Sequence, residues 1–244
     1  MKKILVIGES CRDIFVYCNA DRLCPDIPVP VLSILNQTEN EGMALNVYKN
    51  IKSLLPECDI ITNKNWKTIT KTRYIHSETN HMFIRIDSDH KKIPKINLKN
   101  INLKQYELIA ISDYNKGFLS ELDIKNICNN HNNVFVDTKK ILGDWCNNAK
   151  IIKINNFEFN NSVKFIQNNL IEKIIHTKGS EGCYFKGINY PVNKVEVKDS
   201  TGAGDSFFAA LVSKYLETNN IKESIIFANK CASEVVKHKG VTII

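Results

Sequence analysis

The sequence predicts an α/β protein carrying a small β lid, and three observations lead there. Residues 3–7 form an apolar run that stops at Gly8, as a parallel strand buried on both faces does. From residue 108 onward, short β-rich runs alternate with segments of helical period. Between these regions lie β segments that are punctuated by proline or alternate apolar with polar residues, the pattern of a sheet with one wet face.

After the first strand, residues 14–17 and 29–34 are β-rich and separated by a stretch holding Pro25, Pro28 and Pro30, which suits an edge or lid and not a sheet centre. Residues 44–55 bring Ala44, Val47, Ile51 and Leu54 onto one face, which predicts a helix. Residues 68–75 and 82–86 alternate and predict two half-exposed antiparallel strands, so the lid is expected near 14–36 and 68–88. Short buried strands are predicted at 108–111, 134–136, 151–154 and 174–176, with helices over 119–128 and 158–168 between them. A strand pair at 182–185 and 192–197 follows, and helices over 203–216 and 221–238 close the chain. No internal repeat or low-complexity linker divides it, so a single domain over 1–244 is expected.

Composition excludes several classes. With 43% hydrophobic and 24% charged residues, 244 residues suffice for one globular core. No apolar run approaches the roughly 20 residues of a membrane span. The basic tip at the start is followed by an apolar run too short for a secretory signal, so a cytoplasmic protein is expected. Eight cysteines without a CxxC pair and six histidines without ligand spacing are read as structural. The net charge of +7 comes from lysines spread along the chain without a polybasic block, which favours a solvated basic surface or acidic substrates over nucleic acid. Arginine occurs only at 12, 22, 73 and 85, so each stands out from the lysine background.

The sharpest motif is Asp199-Ser-Thr-Gly-Ala-Gly-Asp205, at the start of a predicted helix. A glycine turn entering a helix presents free backbone N–H groups and a positive dipole end, which together make an anion site. A carboxylate at Asp205, in that first turn, faces the anion and can take a hydroxyl proton as the oxygen attacks phosphorus. The plainer reading, the less favoured of the two, is that Asp199 and Asp205 merely cap the turn. No GxxxxGK[ST] occurs, which excludes the P-loop kinases.

With these residues the chain resembles the ribokinase-like, PfkB-type carbohydrate kinases, whose signature is D-x-T-G-A-G-D. The resemblance implies a three-layer α/β/α sandwich with a small β lid, use of ATP and Mg²⁺, Asp205 as catalytic base, and Gly202, Ala203 and Gly204 as the anion hole. Further segments match in order. Thr177-Lys-Gly179-Ser-Glu-Gly182 looks like the family's T-x-G-x-x-G nucleotide loop, whose glycines let backbone approach phosphate and ribose. Asn155-Asn-Phe-Glu158 fits N-x-x-E, which in the family organises magnesium and its waters; the residues alone also read Glu158 as an ordinary first-turn acid. Phe227-Ala-Asn229 and Ser233 correspond to the wall beside adenine, or to plain helix packing. Gly8-x-x-x-x-Asp13 and Gly42-Met-Ala44-Leu-Asn46 correspond to the sugar side, with Asp13 and Asn46 as hydroxyl ligands; Met43 stands where the family has a second glycine.

Arg22-Leu-Cys-Pro25-Asp-Ile-Pro28-Val-Pro30-Val resembles the lid segment of the heptose 7-phosphate kinases within this family. Phe83-Ile-Arg85-Ile-Asp87, Asp113-Tyr-Asn-Lys116-Gly117 and Val136-Asp137-Thr-Lys139 look like the same subfamily's segments. The implied substrate is a sugar phosphate, most specifically D-glycero-D-manno-heptose 7-phosphate taken at its anomeric hydroxyl. Arg85, Lys116 and Arg22 are then the cations expected to hold the sugar's phosphate, although each also reads as a surface charge or lid salt bridge. Two alternatives stay open: a PfkB-type kinase of another sugar or a nucleoside, and a family member that binds without turnover. The connection from 55 to 68 is short, so a strand and helix that the family inserts there are expected to be missing, leaving a narrower sheet. No HxGH segment occurs, so nucleotide-sugar activation is expected of another protein. An exposed lid edge seeks a partner, which implies a homodimer through the lid.

Overall fold

Alternate residues of the central strands point to opposite faces of a sheet, and here both faces are apolar. Ile4, Val6, Leu108, Ala110 and Phe135 pack into one core, whereas Leu5, Ile7, Ile109, Ile111 and Val136 pack into another on the far side. In the computed structural model, which describes residues 3–89, 92–99 and 101–244, this builds the expected three layers. Met1 and Lys2 of the basic tip lie outside the described residues.

The elements run as β1 (Ile4–Gly8), β2 (Ser10–Leu23), β3 (Pro30–Met43), α1 (Ala44–Leu54), β4 (Cys58–Ile61), β5 (Thr70–His76) and β6 (Met82–Asp87). They continue as β7 (Leu108–Asp113), α2 (Glu121–Asn130), β8 (Val134–Thr138), β9 (Ile151–Asn155), α3 (Asn156–Ser162), α4 (Asn168–Ile171) and β10 (Ile174–Thr177). The last are β11 (Cys183–Phe185), β12 (Ile188–Tyr190), α5 (Ala203–Thr218) and α6 (Ile221–Val235). The large sheet has the order β12-β11-β10-β9-β8-β7-β1-β4, parallel from β4 to β10 and antiparallel at β11 and β12. Helices α1, α5 and α6 supply the first core and α2 the second. The lid is a separate sheet of order β3-β2-β5-β6, in which β2 pairs antiparallel with β3 and parallel with β5.

Four expectations are corrected. The strand placed at 192–197 is irregular, and its role falls to β12: Lys186 and Gly187, both with positive φ, form a two-residue hairpin turn, and Pro191 ends the ladder. The helix placed over 158–168 ends at Ser162 and gives way to a 3₁₀ turn over 163–165. The connection after α1 holds a strand that was not expected, β4, which pairs with β1 at the sheet edge, while among the described residues only a 3₁₀ turn at 66–68, and no α-helix, lies between it and β5. The lid strands β2 and β3 reach past the expected segments, into Asn19–Leu23 and Asn36–Glu41, where the side chains are mostly polar.

Among the described residues no helix is long and apolar enough to cross a membrane. The eight cysteines are free thiols, seven of them buried, in line with a structural reading.

Candidate active site

The chain leaves β1 for the lid and returns to opposite sides of that strand, with β4 on one flank and β7 on the other. Such a switch in direction opens a crevice at the carboxyl ends of the strands. Glu9 after β1, Asp113 and Tyr114 at β7, Asp137 in β8, Asn155 in β9 and Thr177 in β10 all lie at those ends. The hinge to the lid is there too. Ala44 and Leu45 open α1 by donating their N–H groups to the Glu9 carbonyl and the Ser10 hydroxyl, at 3.1 Å each.

Asp205 sits in the first turn of α5, behind Gly202 at φ 82°. That left-handed conformation suits glycine, and a Cβ there would lie 3.2 Å from the Asn46 amide nitrogen. Asp205 is buried and accepts two hydrogen bonds, from Tyr114 Oη to Oδ1 at 2.5 Å and from Asn46 Nδ2 to Oδ2 at 2.9 Å. Burial pushes its pKa up, Tyr114 and Asn46 pull it down, and Asp137 nearby adds to the rise. Tyr114 is pushed well above the ordinary phenol value, first by burial and then by the Asp205 charge. The backbone of residues 200–204 is a tight turn in which the Ala203 N–H donates to the Ser200 carbonyl at 3.3 Å. Asp199 braces that turn, accepting from Thr201 N–H at 2.8 Å and Gly240 N–H at 3.0 Å.

Two cavities meet at this turn. One, of about 400 Å³, is lined by Val195, Val197, Phe207, Ala232 and Val236, with Asn229 at its wall. The other, of about 450 Å³, holds Asp205, Asp137, Lys139, Lys153 and Asn155. Thr177, Gly179, Ser200, Ala203 and Gly204 line both, so the space runs continuously from an apolar pocket to a charged one. Gly182, at φ 87°, would place a Cβ 2.1 Å from the Tyr190 carbonyl, which explains the glycine in the loop. Asn229 donates to that same carbonyl at 3.0 Å, tying the pocket wall to β12.

On the other side of Asp205, Asp13 accepts from Arg73 Nη1 at 2.6 Å. Gly42 lies against it: a Cβ would fall 2.2 Å from Asp13 Oδ2, so the close approach excludes any side chain. Met43 takes φ 62° and ψ −129°, a strained backbone for a residue with a side chain, and buries that side chain in the core beside Ile7 and Cys11. Its thioether therefore belongs to the core.

Around the charged cavity, ion pairs are numerous. Lys153 Nζ contacts Asp137 Oδ2 at 2.9 Å, Lys140 Nζ contacts Asp113 Oδ1 at 2.9 Å, and Lys139 pairs with Glu158. Glu158 and Asn155 form a reciprocal capping box at the start of α3, so both Glu158 oxygens have protein donors. Asp137 Oδ1 is buried without a partner among the described residues. No three acidic, histidine or cysteine side chains converge among them into a ready-made metal cage. One unpartnered carboxylate oxygen fits Mg²⁺, which keeps several waters and binds chiefly through substrate phosphates.

The structure thus brings Asp13, Gly42, Asn46, Gly202, Ala203, Gly204 and Asp205 together, and Thr177, Gly179, Gly182 and Asn229 around the apolar cavity. Arg85 stands apart on the outer lid strand β6, exposed, with its guanidinium forked onto Asp87 at 2.9 and 3.2 Å. Lys116 is anchored by its backbone N–H, which donates to Glu9 Oε1 at 2.6 Å. Tyr114, Arg73, Asp137, Lys139, Lys153 and Glu9 were not singled out as site residues. Tyr114 and Asp137 lie inside recognised segments, which was their signal; the lysines are lost in a lysine-rich chain. Glu9 is fully buried with Oε2 unpartnered, and burial followed by the nearby Asp113 charge pushes its pKa up to about 7.

Comparison with known proteins agrees with this geometry. Proteins named bifunctional protein HldE from Helicobacter pylori strain J99 and Nitratiruptor sp. are 29% and 27% identical over 98% of the chain. The chain spans only 64% and 62% of their respective lengths. Among solved structures, the ribokinase of Thermotoga maritima superposes with a TM-score of 0.76 at 16% identity, covering 99% of this chain and 95% of that one. The nucleoside kinase of Methanocaldococcus jannaschii gives 0.74 at 21% identity, covering 99% and 93%. These likenesses show the fold. The family model described as pfkB family carbohydrate kinase matches residues 59–244, which include the Asp205 turn, the loop at 177–182 and Glu158, and the chain belongs to that family.

Proposed function

We propose that this sugar kinase transfers the γ-phosphoryl group of ATP to the anomeric hydroxyl of D-glycero-D-manno-heptose 7-phosphate. The observation that carries the phosphotransfer is Asp205, a buried carboxylate of raised pKa placed where the anion-binding turn meets the pocket of Asp13 and Asn46. Each of its oxygens keeps a second lone pair for an incoming hydroxyl. The sugar oxygen forms a bond to the γ phosphorus, the bond to the β,γ-bridging oxygen breaks, ADP leaves with the electron pair, and the proton passes to Asp205. The Gly202 to Gly204 backbone, at the positive end of α5, faces the charge that develops on the phosphoryl oxygens. The apolar cavity beside Asn229 is the space for adenine, with Thr177, Gly179 and Gly182 along the phosphates. Asp137 Oδ1 would hold Mg²⁺, with Asn155 and Glu158 bordering its waters, and the ion supplies charge neutralisation for the phosphates.

The heptose reading rests on the lid segment 22–31 and on the segments around Arg85, Lys116 and Asp137. Incubation with ATP, Mg²⁺ and a panel of sugars and sugar phosphates tests it. Formation of a heptose 1,7-bisphosphate, faster than any product from ribose, fructose or a nucleoside, is expected. A faster neutral sugar would overturn the substrate, and no product from any acceptor would overturn the enzyme.

We also propose a second copy of this chain as the partner of the lid. Met82, Ile84 and Ile86 alternate along the edge strand β6 and are all exposed, as is Ile34 on the opposite edge strand β3. A strip of this kind on an open sheet edge is a pairing surface.

A further inference from the structure

Among the described residues three lysines are buried, and two of them have carboxylate partners: Lys140 on Asp113 and Lys153 on Asp137. The third, Lys71 on β5, is 8% exposed and has no acidic partner among the described residues. Its ammonium lies 4.7 Å from the centroid of the Tyr114 ring. Taking a cation out of water without an opposite charge is costly, so such a group points to an anion that the chain does not itself provide.

Its surroundings say which side of the site it serves. Lys71 pairs across β2 and β5 with Asp13, whose own charge is met by Arg73. The Lys71 charge also bears on the Cys11 thiol, whose sulfur lies with Asp13 against Gly42. Beneath it, the Tyr114 ring carries the hydroxyl that donates to Asp205, so one phenol ring separates this ammonium from the base. Lys139 lies 5.5 Å from the same ring centroid but is paired with Glu158. Arg85 is paired with Asp87 on the outer strand.

We propose that Lys71 holds the phosphate of the sugar substrate, and so sets the preference for a phosphorylated over a neutral sugar. The proposal rests on the sugar-phosphate reading above. A sugar whose reacting hydroxyl sits on Asp205 and whose chain crosses the Tyr114 ring brings its far end to Lys71. There the phosphate supplies the missing counter-charge.

The test is steady-state kinetics of the wild type, Lys71→Met and Lys71→Arg with heptose 7-phosphate, with the unphosphorylated heptose and with ATP. Methionine keeps the buried stem and removes the charge. It should raise the KM for the sugar phosphate by roughly 10- to 100-fold, the range of a lost charge-assisted hydrogen bond, and leave the KM for ATP within about twofold. Lys71→Arg should hold the sugar-phosphate KM within about threefold. Without ligand, Lys71→Met should melt at or above the wild type, since it removes an uncompensated buried charge. A variant melting far below it would make Lys71 a structural cation and overturn the proposal. A shift in the ATP KM instead would assign Lys71 to the nucleotide, which also overturns it. If the wild type prefers heptose 7-phosphate while Lys71→Met keeps its KM within twofold, the Lys71 assignment fails and the substrate reading stands. A wild type that prefers the neutral sugar removes the substrate reading itself.

Discussion

In its proposed role as base Asp205 must be a carboxylate, and its neighbours pull its proton affinity in opposite directions. Burial raises its pKa, while the Tyr114 hydroxyl is the strongest influence lowering it. Activity therefore falls as pH drops through the raised value. Tyr114→Phe, which removes the lowering influence, should move the acidic limb of the kcat/KM profile to higher pH; an unmoved limb would detach Tyr114 from the base. Glu9 gives a second pH effect, on stability. Its folded pKa, about 7, lies above the ordinary 4.5. The folded state therefore favours the neutral acid, a contribution that is complete below about pH 4.5 and lost as pH rises through 7. Glu9→Gln keeps an acceptor for the Lys116 N–H and cannot ionise. At pH 8 it should stabilise the protein by on the order of 3 kcal/mol, and near pH 4 it should change little. Denaturant unfolding at the two pH values checks the sign. At this scale the sequence was most legible where a motif constrains spacing, as at Asp205, Gly202 and Asn46. It was least legible where burial alone makes a residue special: nothing in the string separates Lys71 or Lys153 from the other lysines, or Glu9 from a surface acid.

Among the elements, the turn at Gly42 and Met43 ties the lid to the core. Gly42→Ala would drive a methyl into Asp13, with the Cβ only 2.2 Å from Oδ2. The expected result is a sugar KM raised by about 10-fold or more with the ATP KM nearly kept, because Asp13 must shift and its polar contacts weaken. An unchanged sugar KM would remove Asp13 from the sugar pocket. The short buried strands β1, β7, β8, β9 and β10 were readable because apolar runs between turn signals leave few alternatives. The outer halves of β2 and β3 were not. Asn36, Gln37 and Thr38 pair with Tyr17, Val16 and Phe15 through backbone hydrogen bonds, while their own side chains stay in water and show no hydrophobic period. β12 was misplaced because the valines at 192, 195 and 197 look like a strand but line the apolar cavity instead.

At the scale of the molecule, the lid and the three-layer core meet over Asp205, where the proposed sugar and nucleotide sites share one carboxylate. The proposed pairing of lids predicts a dimer in solution by light scattering, and Ile84→Lys, on the exposed strip of β6, should give a monomer. A monomeric wild type would refute the pairing. Whether this carboxylate is the base is read from single-turnover kinetics of Asp205→Asn beside the wild type, with ATP binding measured on the same proteins. Asparagine keeps size and hydrogen bonding without the negative charge, so phosphoryl transfer should slow by about 100-fold or more while ATP affinity is nearly unchanged. A variant retaining more than about a tenth of the wild-type rate would contradict the account, because so small a loss is below what removal of a general base produces.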